Sequence, residues 1–425
     1  MLFESFSAAQ STLLWSVFGV AFFMGAIVNK TNFCTMGAVS DMVNMGDYSR
    51  FRAWLLAIAV AVIGMLIFES AGMVNPDGSF PPYRATQLIW AENLLGGFLF
   101  GIGMTLASGC GNKTLIRIGG GNIKSIFVFL IVGVIAYFMT TPFPGSDQTL
   151  FSVLFYDWIR PLAIDLDTKQ DLGAIVAGIA GSESPMQMRM IMGGIFAVLL
   201  LIYILKGKSF RGNSEHWVAG IAVGLAVLAG WYLSSSMLVD IPDEGEQYTL
   251  VEYYDNWDMV SETEEGKPAQ GSTLSAQSFT FVNPMGQTIG YASSGLNSAL
   301  LTFGIVSVFG IILGSFIWSL ISKSFRIEWF FNVKDFVTHV IGAVLMGFGG
   351  VLALGCTIGQ GITGLSTMAA GSFIAFMAII FGSALTMKIQ YYQMLYEDAS
   401  FFAALITALV ELKLLPASMR KLEVL

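Results

Sequence analysis

Charge is scarce in this chain. Asp, Glu, Lys and Arg make up 12% of its 425 residues, against roughly 25% in a soluble domain. A soluble fold of this size cannot cover its surface with so few charges, and that class is excluded. Cysteine numbers three, too few for a secreted disulfide scaffold. Histidine numbers two, His216 and His339, far apart in sequence, which argues against a histidine-rich metal enzyme. The chain carries no basic stripe of the kind that tracks nucleic acid. What it has in quantity is apolar: 55% of residues are hydrophobic and 47 are glycine, the residue that lets membrane helices approach closely.

The gaps between charges measure the membrane spans. A transmembrane helix needs about 20 mostly apolar residues. Charge-free windows cover 5–29, 53–68, 93–112, 125–146, 190–205, 216–239, 268–322, 336–387 and 399–410. The window 268–322 opens on polar residues, so its span is placed at 293–321. The window 336–387 is too long for one helix and must hold two. This gives nine full spans, with 399–410 left as a short partial helix. The first window follows Glu4 and no Lys or Arg, so it is read as a retained span, not a secretory signal.

Loop charge sets orientation. Arg50 and Arg52, then Lys206, Lys208 and Arg211, then Lys323, Arg326 and Lys334 follow alternate spans and read as cytoplasmic. The segments 142–189 and 237–292 are acidic and read as external, with Asp and Glu crowded through 240–265. The N-terminus is then external, and the acidic run reads as a solvated, poorly ordered insertion.

An internal repeat is the strongest pattern. Residues 96–110, GGFLFGIGMTLASGC, align without gaps on 342–356, GAVLMGFGGVLALGC, with eight identities in 15 positions. Each copy ends in cysteine, Cys110 and Cys356, and runs into a polar, glycine-rich stretch before a second apolar helix. A third cysteine, Cys34, follows the first span within NKTNFCTMGAVSD (29–41). A fainter echo at Gly304, Gly310 and Trp318 puts Ser319 at the cysteine position. The orientation above sends the helix before Cys110 inward and the helix before Cys356 outward, so the repeats are inverted. Inverted repeats with helices broken in mid-membrane are a recurring transporter plan, with substrate held where the breaks meet. Gly109, Gly111, Gly355 and Gly359 are expected to shape those breaks.

The fold class expected is an all-α polytopic membrane protein. It has about nine transmembrane helices plus short re-entrant helices, in two pseudo-symmetric, inverted halves. The parts are a first membrane half at 1–141 with Cys34 and Cys110, an external segment at 142–189, connecting spans at 190–236, the acidic external insertion at 237–292, and a second half at 293–425 with Cys356.

Thiols in such breaks admit several chemistries. Soft thiolates suit a soft metal, but the cysteines stand 76 and 246 residues apart with no local ligand pair. Disulfide or thiol-oxidase chemistry wants paired thiols, and there is no CxxC. A membrane-embedded sulfur-transfer enzyme would persulfidate one cysteine. A sulfur-bearing anion fits a third way. Helix N-termini after each break present N–H groups and partial positive charge, and protonated thiols are weak donors that match a soft sulfur acceptor. Lys113 and Arg117 follow Cys110 closely, and Asn112 and Gln360 are secondary polar candidates. No ATP-binding loop and no evident proton-relay carboxylate is visible, which favours a channel-like or gradient-driven route.

At NFCTMGAVSD (32–41), GIGMTLASGCGNKTLIRIGGGN (101–122) and GFGGVLALGCTIGQGITGLS (347–366) the sequence resembles the YeeE/YedE family of bacterial inner-membrane sulfur transporters. The family carries one cysteine in each of three such segments, matched here by Cys34, Cys110 and Cys356. The resemblance implies a pseudo-symmetric fold with re-entrant helices. It also implies uptake of thiosulfate past the three thiols, no cofactor, and a small cytoplasmic TusA-like sulfur-carrier partner. Some relatives serve selenium metabolism.

The topology makes its own test. A cysteine placed at Glu264 should react with an impermeant reagent in intact cells, and one placed at Lys208 should not. The reverse labelling would overturn the orientation and the inverted repeat together.

Overall fold

The computed structural model describes every residue except 183, 242–245, 261–265, 397, 424 and 425. Nine of the described helical stretches are long and apolar enough to cross a bilayer. In chain order the helices are α1 (Phe6–Thr31), continued after a break by α2 (Thr35–Ser40); α3 (Ser49–Ser70); α4 (Trp90–Leu106), continued by α5 (Gly111–Gly119); α6 (Ile123–Thr140); α7 (Pro185–Leu205); α8 (Ser214–Ser235); the shorter α9 (Val282–Ser293); α10 (Phe303–Ile321); α11 (Val333–Leu352); α12 (Ala370–Leu395); and α13 (Phe401–Glu411). Between α11 and α12 lies a further helical segment, 357–366, whose middle, Gly359–Gly364, is wound as a π-helix. The protein is an all-α, multi-pass membrane protein. At 11 residues α13 is too short to span.

The spans follow the charge-free windows because ionised side chains are costly in hydrocarbon. What the windows do not reveal is how closely the helices approach. Gly96 on α4 lies against Gly349 on α11, and Gly103 lies against Gly342. The two repeat helices therefore run antiparallel, with reciprocal pairing: each glycine meets the counterpart of the other. A Cβ added at Gly103 would sit 2.6 Å from the Gly342 carbonyl oxygen, and one at Gly349 would sit 2.6 Å from that of Gly96. On its other side α4 packs in parallel on α12, with Gly97 against Ala375 and Gly101 against Ile379. α1 packs on α10 through Gly25, Gly310 and Gly314. In lipid no hydrophobic force drives helices together, so this close van der Waals fit holds the bundle.

The acidic segment differs from the sequence expectation. Asp243, Glu244, Glu262, Glu264 and Glu265 lie outside the described residues, but what flanks them is ordered. Strand Leu238–Ile241 pairs with both Leu2–Phe3 and Glu246–Thr249. Tyr253, Tyr254 and Trp257 close around Phe6 at ring separations of 5.4–6.0 Å. Aromatic burial outweighs the local charge, so this part is a cap on the N-terminal side of the bundle and not a loose insertion. Nor does the insertion extend to residue 292. Phe279, Phe281, Val282 and Met285 are fully buried, and α9 packs on α6, α10 and α11. Residues 278–290 belong to the packed core of the bundle.

A buried ion cluster fixes loop 71–89 over the segment 357–367. Arg84, 1% exposed, donates to both oxygens of Glu69 at 2.6 and 2.9 Å and to the carbonyl of Thr367 at 3.0 Å. Arg189 binds Asp171 at 2.9 and 3.0 Å and Glu69 at 3.0 Å. Each charge has partners on more than one side, the condition under which a buried pair is tolerated. The Tyr83 hydroxyl, from the same loop, donates to the Gly359 carbonyl at 2.9 Å.

The glycine packing makes a sharp prediction. Gly103→Val and Gly349→Ala should cost about 1–3 kcal/mol or more, as overpacking does, and should deplete folded monomer on fluorescence-detected size exclusion. Gly19→Ala, where no atom lies within 4 Å, should leave the profile unchanged.

Candidate functional site

The three cysteines occupy the same local structure three times. Each preceding helix ends in a residue with left-handed backbone: Asn32 (φ 49°), Ser108 (φ 60°) and Leu354 (φ 57°), each two positions before a cysteine. The next N–H in each case reaches back five residues: Phe33 to the Val28 carbonyl at 3.2 Å, Gly109 to Met104 at 2.8 Å and Gly355 to Gly350 at 2.8 Å. This is a Schellman closure. The cysteine then caps the N-terminus of the next helical segment. Gly37 N–H donates to Cys34 Sγ and Gly359 N–H to Cys356 Sγ, both at 3.5 Å. Cys110 stands at the same N-cap position of α5 but makes no side-chain cap hydrogen bond.

Glycine was expected to make these turns, and its role is a different one. Gly109 and Gly355 do not have positive φ. They give room: a Cβ at Gly109 would meet Lys113 at 3.0 Å, one at Gly355 would meet the Thr280 hydroxyl at 3.3 Å, and one at Gly359 would lie 2.9 Å from Thr280 Cβ. Gly111 has ordinary space, 3.7 Å from Cys356 Cβ. That contact shows how near the two breaks are. α5 starts at Cys110 and 357–366 starts at Cys356, with their N-termini facing one another in mid-bundle. The N-terminus of α9, at Phe281, joins them, 3.5 Å from the Gly111 Cβ position. Cys110 is an electrostatic neighbour of both Cys34 and Cys356. The three thiols are 5%, 2% and 0% exposed for Cys34, Cys110 and Cys356, and all are free. Among the described residues no group of three or more His, Cys, Asp or Glu is arranged to hold a metal ion.

Polar side chains close the carbonyls that the breaks release. Arg117 donates to the Ser108 carbonyl at 2.7 Å. Gln360 donates to the Ala353 carbonyl and accepts from Ser372 at 2.6 Å. Thr363 donates to Phe279 at 2.7 Å. Both ends of the Gln360 amide are thus engaged in holding the break. Lys113 donates to Asn32 Oδ1 at 2.5 Å, tying the Cys110 break to the Cys34 break. Asn112 is different: it is buried, and its Oδ1 has no hydrogen-bond partner among the described residues. The balance is one-sided. Carbonyls are tied off by side chains, while helix N-termini converge on the thiols with positive partial charge.

The fourth echo does not hold. Ser319 lies inside continuous α10 and donates to the Phe316 carbonyl at 2.7 Å; there is no break. The fourth N-terminus is that of α9, from the stretch assigned to the acidic insertion. Thr280 and Phe281, which flank Cys356, were missed for that reason. The available signal was the absence of any charge from 268 onward.

A sequence model described as sulphur transport matches residues 30–385, a range that holds all three breaks. The chain belongs to the sulphur transport family. Among similar proteins of known name is the thiosulfate transporter TsuA of Escherichia coli K12, 25% identical over 366 residues, covering 84% of this chain and 89% of that one. TsuA of Spirochaeta thermophila is 24% identical over 378 residues, covering 87% and 97%. The probable transporter YedE of Escherichia coli K12 is 29% identical over 128 residues, 29% of each chain.

In this member of the sulphur transport family the left-handed turn at Ser108 is testable. An L-residue there costs roughly 1–2 kcal/mol, of which glycine recovers part after its own entropic cost. Ser108→Gly should raise thermal stability in detergent by about 0.5–1 kcal/mol. Ser108→Val, β-branched, should lower it.

Proposed function

We propose that this protein takes up thiosulfate, or a closely related sulfur anion, across a bacterial inner membrane along a central path lined by Cys356, Cys110 and Cys34 in that order. The observation that carries this reading is the closeness of the α5, 357–366 and α9 N-termini to one another beside buried cysteines free of disulfides. The names of the TsuA relatives support the same substrate class. The N-terminus and acidic cap face outward and the Lys/Arg loops inward, as the positive-inside rule directs, and the two membrane halves are inverted copies. On this orientation α11 rises from inside to Cys356, and α4 descends from outside to Cys110.

A doubly charged anion in mid-membrane needs compensation. Each helix N-terminus supplies roughly half a positive charge. A neutral thiol, unlike a thiolate, does not repel the ion, and it offers a soft S–H to the terminal sulfur. Gly109, Gly111, Gly355 and Gly359 keep the passage narrow but open to the ion's approach. Asn112 contacts the ion or its hydrating water. Lys113, Arg117 and Gln360 act from behind, holding the breaks, and the two cations add positive potential. No covalent intermediate is required, so the protein is a transporter and not an enzyme, and no cofactor takes part. A TusA-like carrier receives the sulfur at the inner face.

Uptake of sulfur-labelled thiosulfate into proteoliposomes tests the reading directly. Cys110→Ala and Cys356→Ala should cost about 1 kcal/mol in stability and abolish most uptake. Cys110→Ser and Cys356→Ser should fail nearly as badly, because a hydroxyl is a harder, shorter donor, while Cys34 variants should show a milder defect. Mass spectra of wild-type protein after turnover should show unmodified thiols. A stable persulfide on one cysteine would instead favour a sulfur-transfer enzyme. Normal uptake by well-folded Cys110→Ala and Cys356→Ala would reduce both residues to packing.

A further inference from the structure

Three buried hydroxyls beside the thiols have no hydrogen-bond partner among the described residues: those of Thr35, which follows Cys34, of Thr280 and of Thr357. Thr357 is fully buried and Thr280 is 8% exposed. Buried threonines elsewhere in the bundle return their hydroxyl to a carbonyl one turn back, as Thr105, Thr114, Thr288 and Thr386 do at 2.8–3.1 Å. Thr357 and Thr280 do not: among the described residues neither Oγ1 has a hydrogen-bond partner of the ordinary kind. Thr357 follows Cys356 in sequence, on the break that lies against that of Cys110: the Gly111 Cβ position is 3.7 Å from Cys356 Cβ. Thr280, which precedes α9, lies on the Cys356 break, its hydroxyl oxygen 3.3 Å from the Cβ position of Gly355. An unpartnered hydroxyl thus lies beside each of the Cys356 and Cys110 breaks, from a segment other than that of the cysteine it neighbours. An unpaired buried hydroxyl costs about 1–3 kcal/mol, and such groups in native proteins call for a reason.

The substrate's two ends supply that reason. Thiosulfate has one soft terminal sulfur and three hard sulfonate oxygens. A thiol alone matches only the first. A thiol beside a hydroxyl matches both, and fixes which way the ion points. Resting on the reading of the thiols as a thiosulfate path, we propose that Thr357 and Thr280 are substrate contacts, each donating its O–H to a sulfonate oxygen while the neighbouring cysteine meets the terminal sulfur. The pairs are Cys356 with Thr280 and Cys110 with Thr357, so the ion keeps one orientation as it passes from one thiol to the next. A sulfur anion without sulfonate oxygens gains nothing from the hydroxyls.

The full chain in proteoliposomes, with Thr357→Val and Thr280→Val, tests this. Valine keeps the shape and removes the hydroxyl. Each variant should raise the half-saturation concentration for thiosulfate about tenfold or more, the scale of a lost hydrogen bond to a charged group. Thr357→Ser and Thr280→Ser should restore it to near the wild-type value. Inhibition of uptake by thiocyanate, which carries a soft sulfur end and no sulfonate, should be the same in wild type and valine variants. Unchanged half-saturation in the valine variants overturns the proposal, as does equal weakening of thiosulfate and thiocyanate, which marks a packing role. If valine prevents folding, the alanine variants are the second probe. If alanine also prevents folding, the hydroxyls hold the structure and the proposal falls. Absence of thiosulfate uptake by the wild type would overturn the thiosulfate reading itself, whatever the variants do.

Discussion

A helix broken inside a bilayer releases backbone N–H and C=O groups that lipid cannot satisfy. The centre of this protein follows from how those groups are covered. Three helices break by the same Schellman closure, at Asn32, Ser108 and Leu354. The carbonyls left behind are taken by side chains that arrive from elsewhere: Arg117 on Ser108, Gln360 on Ala353. The amides on the other side of each break are left to the cysteines. A strong acceptor such as an aspartate at the cap would satisfy these N–H groups fully and would also repel an anion. A thiol satisfies them weakly, at 3.5 Å for Cys34 and Cys356. Structure and function place the same demand on one residue: it must cap the helix without cancelling its positive end.

Placing two such ends face to face requires the helices before them to come very close. The antiparallel glycine contacts of α4 and α11 do this, since backbone meets backbone at Gly96–Gly349 and Gly103–Gly342. Bulkier residues along that seam would separate Cys110 from Cys356 by the width of a side chain and leave both N-termini unpaired in lipid. The repeat that stands out in sequence is therefore a packing device first. Its glycines set the distance, and the cysteine at its end inherits the position. The ion cluster around Arg84 and Arg189 serves the same geometry from the N-terminal side by holding loop 71–89 on the segment 357–367.

The spans, the repeat and the breaks were legible in the sequence because the bilayer penalises charge and because glycine packing repeats in register. The residues that make the turns were not. Asn32, Ser108 and Leu354 share a backbone conformation and no chemistry, so no pattern of residue types marks them. The Arg84 cluster draws on residues 69, 77, 84, 171 and 189, which tertiary structure alone brings together. Thr280 was hidden because it lies between an acidic run and a polar one. Only the lack of charge after residue 267 showed that the chain had re-entered the membrane there. Gln360, a candidate contact that could equally cap backbone, closes the Ala353 carbonyl, and Arg117, a candidate by its closeness to Cys110, closes that of Ser108.

If the thiols line a thiosulfate path, as proposed, the same arrangement keeps the two nearest cations out of it. Lys113 and Arg117 stand close to Cys110, yet each is committed elsewhere, to Asn32 and to the Ser108 carbonyl. A lysine pointed at the thiols would bind a dianion far more tightly than helix ends do. Tight binding is a liability for passage, which requires sites favourable enough to enter and weak enough to leave. Partial charges from several N-termini spread the attraction over the distance from Cys356 to Cys34, and neutral donors at each step add direction without depth. Charge held behind the path raises its potential; charge inside it would trap the ion.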